Sequence, residues 1–475
     1  MPDSQSPFRP RNLLLGAVTL LLLGGLYLAT SQDARRATEL RAAELAGDVA
    51  IAVVAARTPN EGTGQHSADF IQIPIEVRKL ADNVYQARGV GNTQLIATSE
   101  GHVVYDTGLS IQAPKQRRLL AEAVPEAPIT HVILSHSHQD HAGGTPFWVE
   151  EGTEIVAHRE YPEEQRYLKE LEDYFWFRNR TLFPFMPETP PKTGMFAYGG
   201  VVPTLLVDQP EILRFEQGGI HFEVMPTPGA EGADNLSLWL PDQKIFFSGD
   251  FFGPNFPQFP NVFTMRGEKV RKPIEYIHSL EQIIALEPEM IVPSHQDPIV
   301  GKEGILADLI KMRDAVRYVH DATIAGMNAG KTVNELMAEI ALPPELEVPQ
   351  IHGRVSWAVK SIWEYYSTWF HFDSTTELYP VPASSVRAEI AQLAGVEALS
   401  QKAAAHVAEG RDVEALHILE IALAGDPTNK LALETRRAAL ESLLAMAEAT
   451  FQNSYEMDWL KYRIRVTDEA LGAAP

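Results

Sequence analysis

The stretch ILSHSHQDHAGGTPF, Ile133 to Phe147, decides how the rest of this 475-residue chain is read. Before it, Thr130 to Leu134 is a short run of β-branched and leucine residues, the signature of a buried strand. At its end His136, His138, Asp140 and His141 fall within six residues. Neutral imidazole and carboxylate are ligands for zinc and similar divalent ions. His136 and His138, two apart on an extended segment, face one side and can share a metal. Asp140 and His141 lie past the strand end, where a turning backbone presents them to a second metal nearby. The pair Gly143-Gly144 is expected to permit that turn.

Further ligands stand where other apolar runs stop. Asp250 closes KIFFSGD, His295 closes MIVPSHQD, and Asp106 ends HVVYDTG as a group that orients a ligand. Loops at strand ends are where layered folds assemble their sites. A surface loop with satisfied histidines would not need four candidate ligands in six residues.

The bulk properties set bounds. A chain this long divides into two or three domains. Apolar residues at 45% and charged residues at 22% describe a globular protein. Forty basic against sixty-three acidic residues give a net charge of −23, which speaks against a nucleic-acid partner. With no cysteine, disulfides and thiolate metal sites are excluded.

The N-terminal run from Leu13 to about Ala29 follows Arg9 and Arg11. It reads as a membrane anchor or a signal segment over 1–31, with a buried core helix as the other alternative; either of the first two places the catalytic domain in a bacterial-type periplasm, tethered to the inner membrane or released after cleavage. Residues 32–70 read as a helix and linker. Short strands with helices between them span 71–300, an α/β domain with layered sheets. From about Gly301 the pattern is helical, with an extension over 301–380 and helical hairpins over 381–475 broken at Gly410 and at GDPTNK.

HxHxDH after a strand, followed by SGD and PSH at strand ends, resembles the metallo-β-lactamase superfamily. The resemblance implies an αββα sandwich holding two zinc ions at one edge. By it, His136 and His138 bind the first zinc, Asp140, His141 and His295 the second, and Asp250 bridges them. Most of that superfamily has a histidine after TPG, where this chain reads PTPGAEGADN. The alkylsulfatase branch uses a glutamate there, which points to Glu231, 19 residues before Asp250, over the nearby Asp234. NVFTMRG, Asn261 to Gly267, is similar to the segment by which that branch presents an asparagine and an arginine, here Asn261 and Arg266, to sulfate. The C-terminal hairpins resemble the alkylsulfatase dimerisation domain and imply a homodimer.

Two departures stand out. At about the place of that branch's proposed proton-donating histidine the chain has Trp357, with His352 and His320 as substitutes and a core or helix-surface role as the bland reading of both. The sequence given also ends without the sterol-carrier-like domain of longer alkylsulfatases. The aromatic segment Tyr174 to Pro191 lines an apolar pocket, forms a lid, or packs over the helices. The implied activity is dinuclear zinc hydrolysis of a small organic sulfate ester; a lactone, β-lactam, thioester or phosphoester hydrolase on the same centre and a non-enzymatic scaffold are the alternatives.

Overall fold

The structure, a computed structural model, describes residues 32–57, 68–192, 197, 200–229, 231–262 and 264–472. The run from Leu13 to Ala29 lies outside these residues. Among those described, no helix is long and apolar enough to cross a membrane.

Two sheets form the first part of the chain. The first has seven strands in sequential order: β1 Val77–Ala81, β2 Val84–Ala87, β3 Thr93–Thr98, β4 Gly101–Tyr105, β5 Ile129–Ile133, β6 Glu154–His158 and β7 Leu205–Val207. The second runs β8 Leu213–Gln217, β9 Ile220–Pro226, β10 Leu236–Leu240, β11 Ile245–Gly249, β12 Met290–Pro293 and β13 Ile299–Val300. β4 through β7 pair in parallel, as do β11 and β12. Their C-terminal ends therefore point the same way within each sheet, and the loops that follow them gather at one rim.

Period-two alternation sorts the side chains into layers. Val103 and Tyr105 of β4, Leu236, Leu238 and Leu240 of β10, and Ile245 and Phe247 of β11 meet between the sheets. Val104 points outward instead, to Leu120 of the helix Ala113–Ala123 and to Trp148. Trp239 and Phe246 point the other way, onto the helices Pro273–Leu286, Lys302–Asn328 and Val355–Ser367. The result is helix, sheet, sheet, helix, the αββα layering implied by the resemblance. Beyond it the helices Val396–Ala408, Asp412–Gly425, Lys430–Ala449 and Ser454–Ala470 pack on one another through Ala403, Ala415, Leu419 and Leu440.

The last of these helices docks beside the sandwich. Asn453 donates to the carbonyls of Gln350 and His352, at 2.9 and 3.1 Å, and Arg354 pairs with Glu456. The glycine pair Gly143-Gly144 has a reason other than the expected turn. Gly143 and Gly144 have helical φ of −64° and −83°, but a Cβ at Gly144 would lie 2.1 Å from the Thr107 carbonyl oxygen. Close approach, not a left-handed backbone, demands glycine there.

Candidate metal centre

His138 is still extended, at φ −64° and ψ 149°, and the chain then winds into the single turn Gln139–Ala142. That switch separates the two histidines of the strand end from Asp140 and His141. Two groups of donors result, each with ligand atoms within 4.8 Å of one another: Asp140, His141, Asp250 and His295, and then His136, His138 and Asp250. Asp250 belongs to both.

Hydrogen bonds on the far side of each ring set the tautomers. Asp106, fully buried, is the hub. Its Oδ1 accepts from the Ser135 backbone N–H at 2.8 Å, and its Oδ2 accepts from Ser135 Oγ, Ser294 Oγ and His141 Nδ1, each at 2.9 Å. Ser135 Oγ, having given its proton to Asp106, accepts from His136 Nδ1 at 3.0 Å. His295 Nδ1 donates to the Val90 carbonyl. His138 points its Nε2 at Glu268 Oε1, 3.4 Å away.

Each ring thus spends one nitrogen on an acceptor and leaves the other bare. His136 Nε2 and His138 Nδ1 face each other at 2.8 Å. His141 Nε2 faces Asp250 at 3.3 Å and Asp140 at 3.4 Å, and His295 Nε2 faces Asp250 at 3.0 Å and Asp140 at 3.3 Å. With these tautomers lone pairs oppose lone pairs and carboxylates, an arrangement that suits a bound cation. Buried His141 Nε2 and Asp250 Oδ1 have no hydrogen-bond partner among the described residues. Burial opposes a charge on His141, yet Asp250, Asp140 and Asp106 together hold its pKa well above the ordinary value, so in the bare protein a proton takes the cation's place. His136 goes the other way, pushed well down by burial and by His141 and His138. The donor set, nitrogen and carboxylate oxygen without sulfur, fits two divalent ions such as zinc.

Glu231, the ligand expected from the resemblance, belongs to neither of these two groups and faces arginines in this structure. Its Oε1 accepts from Arg271 Nη1 at 2.8 Å and its Oε2 from Arg271 Nη2 at 3.0 Å and Arg266 Nη2 at 2.9 Å. Burial works against its charge, but Arg271, His352 and Arg266 hold its pKa well below the usual carboxylate range. Asp234, the other candidate, accepts from the Ser137 N–H at 2.9 Å and so fixes the backbone between the two histidines. Burial pushes its pKa up to about 7.

Asn261 and Arg266 do stand at this rim. Asn261 Nδ2 is 3.4 Å from His352 Nε2, and the Asn261 carbonyl accepts from Arg271 at 2.6 Å. Arg266, largely buried, lies between Glu231 and Glu268. Of the two substitute histidines, His352 is buried with Nε2 3.3 Å from Glu231 Oε1, whereas His320 is on the helix Lys302–Asn328, bonded to Asp321 and the Tyr366 hydroxyl. The core or helix-surface reading therefore suits His320, while His352 joins the site. Trp357 packs under the Arg354 guanidinium, 5.7 Å from its ring centroid.

Sequence reading missed Glu268 and Arg271. Arg271 bridges Glu231 and Glu268, and Glu268 orients His138. Their signal is RGEKVR, Arg266 to Arg271, an alternation of charge in a stretch otherwise rich in proline and aromatics.

Residues 87–295 match the model of the metallo-beta-lactamase superfamily, and residues 332–463 match that of alkyl sulfatase dimerisation. A linear primary-alkylsulfatase of a Pseudomonas species is 27% identical over 394 residues, which cover 76% of this chain and 72% of that protein. An alkyl/aryl-sulfatase of Saccharomyces cerevisiae is 25% identical, over 81% of this chain but 63% of its own length. The fold is that of the stereoselective inverting sec-alkylsulfatase Pisa1 from Pseudomonas sp., with a TM-score of 0.70 at 21% identity, over 86% of this chain and 67% of that one. The chain thus carries a metallo-β-lactamase superfamily domain followed by an alkyl sulfatase dimerisation domain.

Proposed function

We propose that the protein is a dinuclear zinc hydrolase of alkyl sulfate esters. The observation that carries the reading is the pairing of a donor set suited to divalent cations with a largely buried arginine, Arg266, at the same rim. The named relatives are alkylsulfatases, which supports a sulfuric ester hydrolase.

When bound, the two ions supply hydroxide near neutral pH and neutralise charge that develops on the ester. The chain's own part is to prepare their seats and to hold the substrate. Asp106, Ser135 and the Val90 carbonyl keep protons on Nδ1 of His141, His136 and His295, so that the Nε2 lone pairs face inward without reorganisation. Arg266 presents a planar fork, which matches a sulfate oxygen pair better than an ammonium does. We assign proton donation to the leaving oxygen to His352, whose Nε2 lies 3.3 Å from Glu231 Oε1 and 3.4 Å from Asn261 Nδ2. In the Glu172–Leu182 helix, whose Arg178 bonds to the Met265 and Arg266 carbonyls, Tyr174 and Phe177 offer exposed apolar surface.

The test is sulfate release by purified, zinc-loaded protein from primary and secondary alkyl sulfates, beside a lactone, a β-lactam and a phosphodiester. Sulfate release that disappears in His138→Ala is the expected result. Turnover of a neutral ester alone would support the second reading, a hydrolase of an uncharged ester on the same centre. One observation favours that reading: Glu231 and Glu268 already neutralise Arg266.

Two further elements belong to the proposal. Trp369, Phe372, Tyr379 and Val381 are exposed within the region matched to the dimerisation model, which supports a homodimer; light scattering of the eluted protein measures it. The arginine-flanked run from Leu13 to Ala29 supports export with membrane attachment, which cell fractionation tests.

A further inference from the structure

We propose that Arg178 is a positioning residue for Arg266, so that the aromatic helix Glu172–Leu182 sets how tightly the anionic end of the substrate is held. The inference rests on the sulfate-ester reading.

Arg266 stands in the long connection between β11, which ends at Gly249, and the helix beginning at Pro273. No sheet ladder fixes its backbone. Arg178 does so instead, donating from Nε to the Arg266 carbonyl at 2.8 Å and from Nη2 to the Met265 carbonyl at 2.7 Å. Two consecutive carbonyls are thus held by one rigid fork, and donors carrying charge make such bonds stronger than neutral ones. Its third nitrogen, Nη1, is held by the Tyr174 hydroxyl at 3.2 Å, one turn back on the same helix.

Gly267 completes the arrangement. Its φ is +80°, and a Cβ there would lie 2.7 Å from Arg178 Nε, so the guanidinium rests in space that only glycine leaves. The preceding helix, Tyr161–Glu170, grips the same connection through Lys269, which pairs with Glu164 at 2.9 Å and Glu163 at 3.3 Å. The segment Tyr174 to Pro191, which sequence left as pocket wall, lid or packing, therefore acts as a clamp on the anion-binding loop.

Arg178 is not aimed at the metal donors. Its loss should loosen the anion subsite while the metals and their seats stay in place. The probes are octyl sulfonate, which cannot be hydrolysed, octyl sulfate, and 4-nitrophenyl acetate as a neutral ester. In Arg178→Met, which keeps much of the apolar stem, the Kd for octyl sulfonate and the KM for octyl sulfate should each rise about tenfold or more. Under the same change kcat should move by less than about threefold, and zinc content and the KM for the neutral ester should not change. Arg178→Lys, with one compact donor group in place of the fork, should fall between. Gly267→Ala displaces the fork from the other side and should reproduce the pattern, which keeps the test open should Arg178→Met fold poorly.

Octyl sulfonate bound equally by wild type, Arg178→Met and Gly267→Ala would overturn the inference. So would a loss shared by the neutral ester or accompanied by loss of zinc, since that is general damage. Wild-type protein that neither binds the sulfonate nor hydrolyses the sulfate would overturn the sulfate-ester reading itself, and the inference with it.

Discussion

The two ends of the rim both set carboxylates against nitrogen groups and solve opposite problems. At one end Asp140 and Asp250 face bare nitrogens of His141 and His295. Acceptor meets acceptor unless a proton or an added cation stands between them. At the other end Glu231 and Glu268 face Arg266 and Arg271, two carboxylates against two guanidinium groups, and the charges already cancel. A carboxylate's role in this protein is therefore decided by what lies across from it.

The largest effect should come from Asp250, which both donor groups share. Asp250→Ala is expected to leave less than about one metal per chain and to lower turnover by roughly a thousandfold or more, because both seats lose a ligand. Elemental analysis of the dialysed protein reads the first quantity. A variant that still holds two ions would show that the two groups do not depend on one carboxylate.

Asp106→Ala should be next. It touches no metal seat directly, but it removes the acceptor for His141 Nδ1, Ser135 and Ser294 in a fully buried place. Metal affinity should weaken by about 10–100-fold, read by competition with a chromophoric chelator. Unaltered affinity would mean that His141 keeps its tautomer without help.

Glu231→Gln sharpens the contrast between the ends. If the arginine-facing arrangement is the working one, two metals remain. The buried partner Arg271 then loses its charge balance, at a cost of about 3–5 kcal/mol in denaturant melts. Loss of one metal instead would mean that Glu231 leaves the arginines and turns to the ion when it binds, which would restore the ligand set read from the sequence.

That alternative shows what sequence could and could not carry. The HxHxDH run was legible because its chemistry is local: strand, extended histidine, one helical turn. Asp250, His295 and Asp106 were legible because each ends an apolar run, and parallel pairing brings such ends together. Short strands with helices between them pointed to an α/β domain with layered sheets, and the αββα order came with the resemblance to the metallo-β-lactamase superfamily. Glu231 was different. Its spacing before Asp250 says where its backbone stands, and nothing about which neighbour its carboxylate meets across the rim. Arg271 lies 40 residues away from it in sequence, so no local pattern links them. Glu268 was hidden for the same reason, and so was the docking of the last helix against His352 through Asn453.

A third strand-end environment gives the smallest expected effect. His158 closes β6 beside β5, whose end carries the metal-facing histidines, yet it belongs to neither donor group. Its Nδ1 accepts from the Glu160 N–H at 3.0 Å, and its buried Nε2 has no hydrogen-bond partner among the described residues. Burial, only partly opposed by Asp208, pushes its pKa down to about 4. In the unfolded chain a histidine titrates near pH 6.5. Between these values the unfolded state binds the proton and the folded state does not. The neutral ring's contribution is therefore complete above pH 6.5 and is lost as pH falls towards 4, by no more than about 3 kcal/mol. His158→Gln, which cannot take up a proton, should flatten that part of the stability curve for protein stripped of metal. Wild type and variant are compared at each pH, so the carboxylates that also titrate in acid cancel. Parallel curves for the two proteins from pH 7 to pH 4.5 would mean that the strand end opens enough to protonate His158 in place. The isolated strand-end histidine would then resemble a surface group, and close packing at this edge would be confined to the rim where carboxylates and imidazoles face one another.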